Sequence, residues 1–454
     1  MTSGRLSVAV VGAGPAGLYA TEQLLRYQGG AVSVDVIDRL PTPWGLIRGG
    51  VAPDHPEKKQ IVDRLFSFVL NDERVRFIGN VEIGKTISLE EISACYDAVI
   101  VAPGASGNGR LGILGEDLPG SWQANDFVGF YNGHPDQSDL PFDLTGDRAV
   151  IVGNGNVALD LARILMTPPA ELRKTDIADH AIDALMQSNI REVVLLGRRG
   201  PMDGAFHNPE LEELAHLTDV DIEVTGAIVP DETDAELAGA EWHVRRKMKT
   251  LRNLAGRPRR EAGRKIVFRF WSSPLAFEGN GRVERLLLAD TFPAISANEA
   301  IHRPLHESTL DTGFVLRAIG YRGASVPGLP YDERLSVITN VAGRVMTNDG
   351  PMAGVYVAGW AKRGCRGVIG SNRICSAETV ANLLEDWEEG KLLPPISSAN
   401  SALEAIAQKH PLVSGSGWRR INHAELAAGR AEGRPRRKIT NRDDLISCAA
   451  TGRT

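Results

Sequence analysis

The stretch "VIVGNGNVALDLA", Val150 to Ala162, decides the fold. Apolar Val150, Ile151 and Val152 lead into Gly153-x-Gly155-x-x-Ala158, and a helical pattern follows. This is the grammar of a strand, a tight glycine turn and a helix whose N-terminal N–H groups can hold a pyrophosphate. A second copy of that grammar stands far upstream, in "VAVVGAGPAGLYA" (Val8 to Ala20), with Gly12, Gly14 and Gly17. Either loop alone could be a strand–helix turn with no ligand. Two in one chain predict an α/β fold of two Rossmann-like dinucleotide-binding domains.

The residues beyond each loop separate the two ligands. After the first loop, Asp38 ends the next β-rich run, where an acid accepts hydrogen bonds from an adenosine ribose. That pattern suits FAD or NAD. After the second loop the matching strand "REVVLLGRRG" ends instead in Arg198 and Arg199. Arginine there suits a 2′-phosphate, hence NADP. One loop for a flavin nucleotide and one for NADPH imply hydride transfer between nicotinamide and flavin, with the cofactors carrying the chemistry.

Length and composition agree with such an enzyme. The 454 residues allow two or three domains, and 43% hydrophobic with 24% charged residues is ordinary for a globular protein. A net charge of −6 gives no reason to expect nucleic-acid binding. The four cysteines, Cys95, Cys365, Cys375 and Cys448, form no Cys-x-x-Cys pair. A dithiol redox motif, a four-thiolate zinc site and a disulfide framework are therefore not expected. No run of about 18 apolar residues predicts membrane insertion. The glycines after Val8–Val11 fit a strand and turn better than a secretory leader. A reducing, cytoplasmic setting is the expectation.

Several other stretches have a distinct character. "RLPTPWGLIRGGVAPDHPEKK" (Arg39 to Lys59) is dense in proline and glycine and reads as a long functional loop, with Trp44, Leu46 and Ile47 arguing against disorder. A helical insertion is expected over roughly Pro168 to Ser188. Trp242 to Lys265 holds ten Lys or Arg and one acid. Beyond Leu393 the chain turns helical, with the basic run "GRPRRK" at 433–438.

Taken together, these residues resemble the adrenodoxin-reductase type of ferredoxin–NADP reductase, including its bacterial members, over nearly the whole chain. The resemblance rests on "VVGAGPAGLYA", "PWGLIRGGVAPDHPEKK", "GNGNVALDLARIL", "TDIADHA", "GRRGPMDGAFHNPELEEL", "VFRFWSSP", "RAIGYRG" and "GWAKRGCRGVIGSN". Many flavoproteins share the glycine loops; "APDHP" and Gly359-Trp360 with its following loop are much more specific. The resemblance implies that Gly12, Gly14, Ala16, Gly17, Asp38, Leu46 and Val81 touch FAD. Trp360 and the Gly367-Val368-Ile369 turn would approach the isoalloxazine. Gly153, Asn154, Gly155, Asn156 and Val157 would meet the NADP pyrophosphate. Arg198, Arg199 and Glu210 would frame its adenosine phosphate end, with Gly367 near the nicotinamide. His55 and Glu213 would form the catalytic polar pair beside the reacting rings. Asp38 stands where the family more usually has glutamate, and Cys365-Arg366 where it usually has Pro-Thr. Arg366 could tune the flavin or the partner's approach, or point to solvent, and Cys365 reads as packing.

The implied function is passage of hydride from NADPH to FAD and of single electrons onward to a ferredoxin-type iron–sulfur protein, with a cytochrome P450 chain as one pathway served. Histidine is the side chain whose unperturbed pKa lets it move a proton at neutral pH, which is the role open to His55. The basic segment around Arg245, Arg246, Lys247 and Lys249 could steer an acidic ferredoxin, or be a solvated face. An electron-input subunit or diaphorase with another acceptor, and a non-catalytic NADPH-sensing flavoprotein, are the alternatives. The expected organisation is an FAD-binding domain over 1–106 and 321–395, an NADP-binding domain inserted at 107–320, and a helical extension over 396–454.

Overall fold

The computed structural model describes residues 5–105, 107–231, 233–259, 263–291, 304–367 and 369–450. The chain divides into two compact units, Met1–Gly109 with Gly320–Thr454, and Arg110–Ile319. Each is built on a parallel sheet, so the α/β class with two Rossmann-like cores holds.

In the first unit Leu6–Val11 is the central strand, parallel to Val32–Asp38 on one side and Ala98–Val101 on the other. Val75–Gly79 and Gly350–Val357 extend the parallel sheet outward. Short antiparallel strands close both edges: Asn340–Val341 and Arg344–Thr347 at one, Val413–Ser414 at the other. Covered on both faces, the central strands read as near-continuous apolar runs rather than alternating ones. Val8, Ala9 and Val10 are fully buried. Helices Pro15–Leu25 and Ser371–Glu388 pack together over this sheet.

Arg39 to Lys59 is not loop throughout. A short helix, Leu46–Gly49, lies inside it, and a 15-residue helix, Pro56–Leu70, begins before it ends. The proline that reads as a loop signal sits at the first helical position, where its missing N–H has no intrahelical partner to lose. Trp44 is buried and stacks on Phe66 of that helix, ring centroids 6.1 Å apart. Trp418, on helix Gly415–Ala431, meets Trp44 edge-on at 5.9 Å.

The second unit has six parallel strands in the order Ser121–Gln123, Phe314–Arg317, Arg148–Val152, Glu192–Leu196, Lys265–Arg269, Asp221–Thr225. Helix Asn156–Met166 follows the quoted glycine turn, and the insertion contains helices Pro169–Leu172 and Asp179–Met186. An antiparallel ribbon of Ser272–Glu278, Arg285–Thr291 and Pro304–Asp311 completes the unit. Among the described residues no helix is long and apolar enough to cross a membrane.

Candidate functional site

In the first unit the glycine loop joins Leu6–Val11 to Pro15–Leu25. Gly12 has φ +109°, and a Cβ there would lie 2.1 Å from the Ala102 carbonyl oxygen. A Cβ on Gly17 would lie 1.9 Å from the Gly12 oxygen, so only glycine lets the helix start this close to its strand. Gly14 is the N-cap and no side chain caps the helix, leaving its first N–H groups available to an anion. Ala16 lies in that first turn, its carbonyl accepting from the Ser376 hydroxyl at 2.8 Å.

Asp38 serves the loop itself. Its two oxygens accept from the Ala13 N–H at 2.7 Å and the Leu40 N–H at 2.8 Å, leaving each oxygen a further acceptor direction for a ribose hydroxyl. Burial raises its pKa against the pull of those two N–H groups and of Arg39 and Arg442. The buried Val81 is next door, its N–H on the Asp38 carbonyl at 2.9 Å. Leu46 opens the short helix after Gly45. Trp360 opens the helix Trp360–Arg363, with its ring 5.6 Å from that of Tyr321. Its buried Nε1 has no hydrogen-bond partner among the described residues, so it offers a donor to a bound acceptor. Gly367 and Ile369 precede helix Ser371–Glu388; Val368 lies outside the described residues. A loop only glycine fits, an uncapped helix start, a ribose acceptor and an orphan indole N–H together suit a dinucleotide.

Burial pushes the Cys365 thiol up to about 11, so it is protonated at neutral pH, as a packing residue would be. Arg366 is exposed. His55 is 7% exposed and stands at the N-cap position of helix Pro56–Leu70, where its ring makes no capping bond to the helix and the Lys58 Nζ lies 3.4 Å from its Nδ1.

The second unit repeats the first loop's logic. Gly153 has φ +126°, and Gly155 caps helix Asn156–Met166 with open space where a side chain would be. The Asn154 amide packs over Gly197, and Val157 is half-buried. Asn156 braces the facing loop, its Oδ1 accepting from the His207 N–H at 2.8 Å and its Nδ2 lying 2.9 Å from the His207 Nδ1. Arg198 and Arg199 stand exposed just past Glu192–Leu196, and Arg199 pairs with Asp203 at 3.3 Å. Trp271 supports this turn from behind, its N–H reaching the Arg199 carbonyl at 3.3 Å. Glu210 lies in the first turn of helix Asn208–Glu213 and Glu213 at its end.

Two buried cations escape the sequence reading. Arg163, on helix Asn156–Met166, is 4% exposed and reaches both Glu213 at 2.7 Å and Asp160 at 2.9 Å. It fixes the position of the Glu213 carboxylate through that ion pair. The signal was an arginine inside the apolar run "LARILM". Lys247 corrects an expectation. Helix Trp242–Ala255 exposes Arg245, Arg246 and Lys249, but Lys247 shares the buried face with Met248, Leu251 and Leu254. Its ammonium donates to the Gly204 carbonyl at 2.6 Å and sits 5.1 Å from the Phe206 ring centroid. Burial lowers its pKa, and it holds the loop after Arg199 rather than facing a partner. Arg246 forms a two-bond pair with Glu212 at 2.8 and 2.9 Å. Residues 260–262 of the basic segment lie outside the described residues.

Known proteins carry the same pattern. Residues 6–200 match the model of the pyridine nucleotide-disulphide oxidoreductase family. The chain is 42% identical to the NADPH-ferredoxin reductase FprA of Mycobacterium leprae, over 97% of each protein. It is 40% identical to the mitochondrial NADPH:adrenodoxin oxidoreductase of Arabidopsis thaliana, over 98% of this chain and 95% of that one. The solved structure of Mycobacterium tuberculosis FprA in complex with NADPH superposes with a TM-score of 0.91 at 40% identity, covering 98% of this chain and all of that one.

Proposed function

The chain belongs to the NADPH–ferredoxin reductases of the adrenodoxin-reductase type, and from that membership we propose how its residues divide the work. It is a flavoprotein oxidoreductase that takes electrons from NADPH through FAD to a ferredoxin-type iron–sulfur protein. Bound FAD supplies the conversion between a hydride donor and a one-electron acceptor.

The unit Met1–Gly109 with Gly320–Thr454 holds FAD, and Arg110–Ile319 holds NADPH. Gly12, Gly14, Ala16 and Gly17 cradle the FAD pyrophosphate, Asp38 takes the ribose, and Leu46 and Val81 line the nucleotide. Trp360, with Gly367 and Ile369, borders the flavin ring. Gly153 to Val157 receive the NADP pyrophosphate, while Arg198, Arg199 and Glu210 frame its 2′-phosphate end. His55 relays the proton that each turnover must dispose of or orients the nicotinamide through Glu213, whose carboxylate is held by Arg163 at 2.7 Å.

The observation that carries this reading is the opposite chemistry at the two ribose ends: a half-buried carboxylate tied to one glycine loop, two exposed guanidinium groups beside the other. The partner is an acidic ferredoxin that docks on Arg245, Arg246 and Lys249, and a cytochrome P450 chain is one pathway such a partner feeds. Four cysteines outside any disulfide among the described residues suit a reducing, cytoplasmic setting. Denaturing the protein and chromatographing the released yellow material tests the assignment. FAD is expected; FMN would remove the adenosine role given to the first loop.

A further inference from the structure

The basic run Gly433 to Lys438 is not a solvated tail. Arg434 and Lys438 are 5% and 7% exposed, and the run folds back onto helix Gly415–Ala431. At the centre is Glu425, 1% exposed. Its Oε1 accepts from the Arg48 Nη2 at 2.6 Å and the Ile439 N–H at 2.8 Å. Its Oε2 accepts from the Arg48 Nη1 and the Arg436 Nη1, each at 2.8 Å. A carboxylate has about four acceptor sites, so this one is saturated. Burial works to raise its pKa, but Arg48, Arg436 and the Ile439 N–H overcome it and hold the group charged.

Arg48 belongs to helix Leu46–Gly49, and the two residues just before that helix touch the first glycine loop. The Trp44 N–H donates to the Ala13 carbonyl at 2.9 Å, and a Cβ on Gly45 would lie 3.0 Å from the Gly14 Cα. The Lys438 ammonium lies 3.5 Å from the Arg48 carbonyl oxygen. The segment Trp44 to Arg48 is thus fixed at the front on the pyrophosphate loop and from behind by residues near the far end of the chain. A second tie runs parallel. Arg442 donates to the Asn80 Oδ1 and the Arg39 carbonyl, both at 2.9 Å, beside Val81 and Asp38.

We propose that Glu425 is a positioning residue for FAD: by locking Arg48 it holds Gly45 and Leu46 against the nucleotide, which makes the C-terminal segment part of the flavin site. Removing the charge would take the two-bond fork from the largely buried Arg48 and a bond from Arg436, leaving the more distant pull of Asp63 to hold them, and both would gain by swinging toward water. Arg48 is the one that moves the flavin-facing turn. The inference rests on the assignment of FAD to this unit.

The test uses the FAD-loaded protein with Glu425→Gln and, because that variant risks misfolding, Arg48→Lys, which keeps the charge but breaks the two-bond fork. The readouts are the rate of FAD release, followed by recovery of flavin fluorescence on dilution, and the visible circular dichroism of the bound flavin. Loss of a charge-assisted hydrogen bond to the turn should speed FAD release about tenfold or more in Glu425→Gln and less in Arg48→Lys. The dichroism should change, and NADPH affinity should stay as in the parent. Unaltered FAD release and dichroism in the folded variants, even with a lower Tm, would overturn the proposal and leave the network to the fold. Failure of the FAD assignment would look different, since the parent itself would then release FMN or no flavin.

Discussion

Replacing Arg198 should weaken NADPH binding more than replacing its neighbour Arg199. Both are exposed at the end of the same strand, but they start from different states. Arg198 has no ion pair among the described residues, whereas Arg199 is held by Asp203 at 3.3 Å, with side chains 54% and 47% exposed. A hydrogen bond to a charged group contributes about 1.5–3 kcal/mol, and about 1.4 kcal/mol is tenfold in affinity. Arg198→Ala should therefore raise KM for NADPH about tenfold or more. Arg199 must first give up Asp203, an exposed pair worth about 0–1 kcal/mol, so Arg199→Ala should cost up to about fivefold less. By the same arithmetic Asp203→Ala should lower KM for NADPH by as much as about fivefold. The assay is steady-state dye reduction with NADPH and with NADH at one fixed ionic strength, because exposed charges are screened. NADH has no 2′-phosphate, and its KM should hardly move. Equal losses for both nucleotides, or a higher KM for NADPH in Asp203→Ala, would refute the reasoning and make these arginines part of the turn's structure.

Two further outcomes follow from the site. His55→Ala should lower the limiting rate of flavin reduction at saturating NADPH, toward the lower end of the about 10²–10⁴-fold range of acid–base effects, with little change in NADPH affinity by stopped flow; an unchanged limiting rate would reduce His55 to a buried residue at a helix start. Arg245→Glu with Arg246→Glu should slow ferredoxin reduction at low salt and flatten its salt dependence, leaving flavin reduction by NADPH constant, since steering is screened beyond about 8–10 Å; an intact ferredoxin rate would move docking to another face.

Patterns local in sequence were the readable part. The two glycine turns, the buried strands before them and the opposite charges at Asp38 and Arg198-Arg199 are each set within a few residues, so periodicity and residue type are enough. What escaped depends on partners distant in sequence. Lys247 looks like one more charge in a basic run, and only the stripe it shares with Leu251 and Leu254 hints that it points inward. Arg163 is anomalous in an apolar helix, yet nothing local names Glu213 as its partner, 50 residues on. Glu425 lies 377 residues from Arg48, and a buried carboxylate leaves no periodic trace. Pro56 misled in the opposite sense, because the residue that breaks a helix interior also starts one.

The most direct test is to mix the FAD-loaded protein anaerobically with NADPH and then with a reducible ferredoxin, following the flavin and iron–sulfur absorbance together. The flavin band should bleach within the stopped-flow record, far faster with NADPH than with NADH. It should then recover as the ferredoxin is reduced, two ferredoxins for each NADPH consumed when each accepts one electron. NADPH that binds without bleaching the flavin, or a bleached flavin from which no ferredoxin draws electrons, would contradict the account.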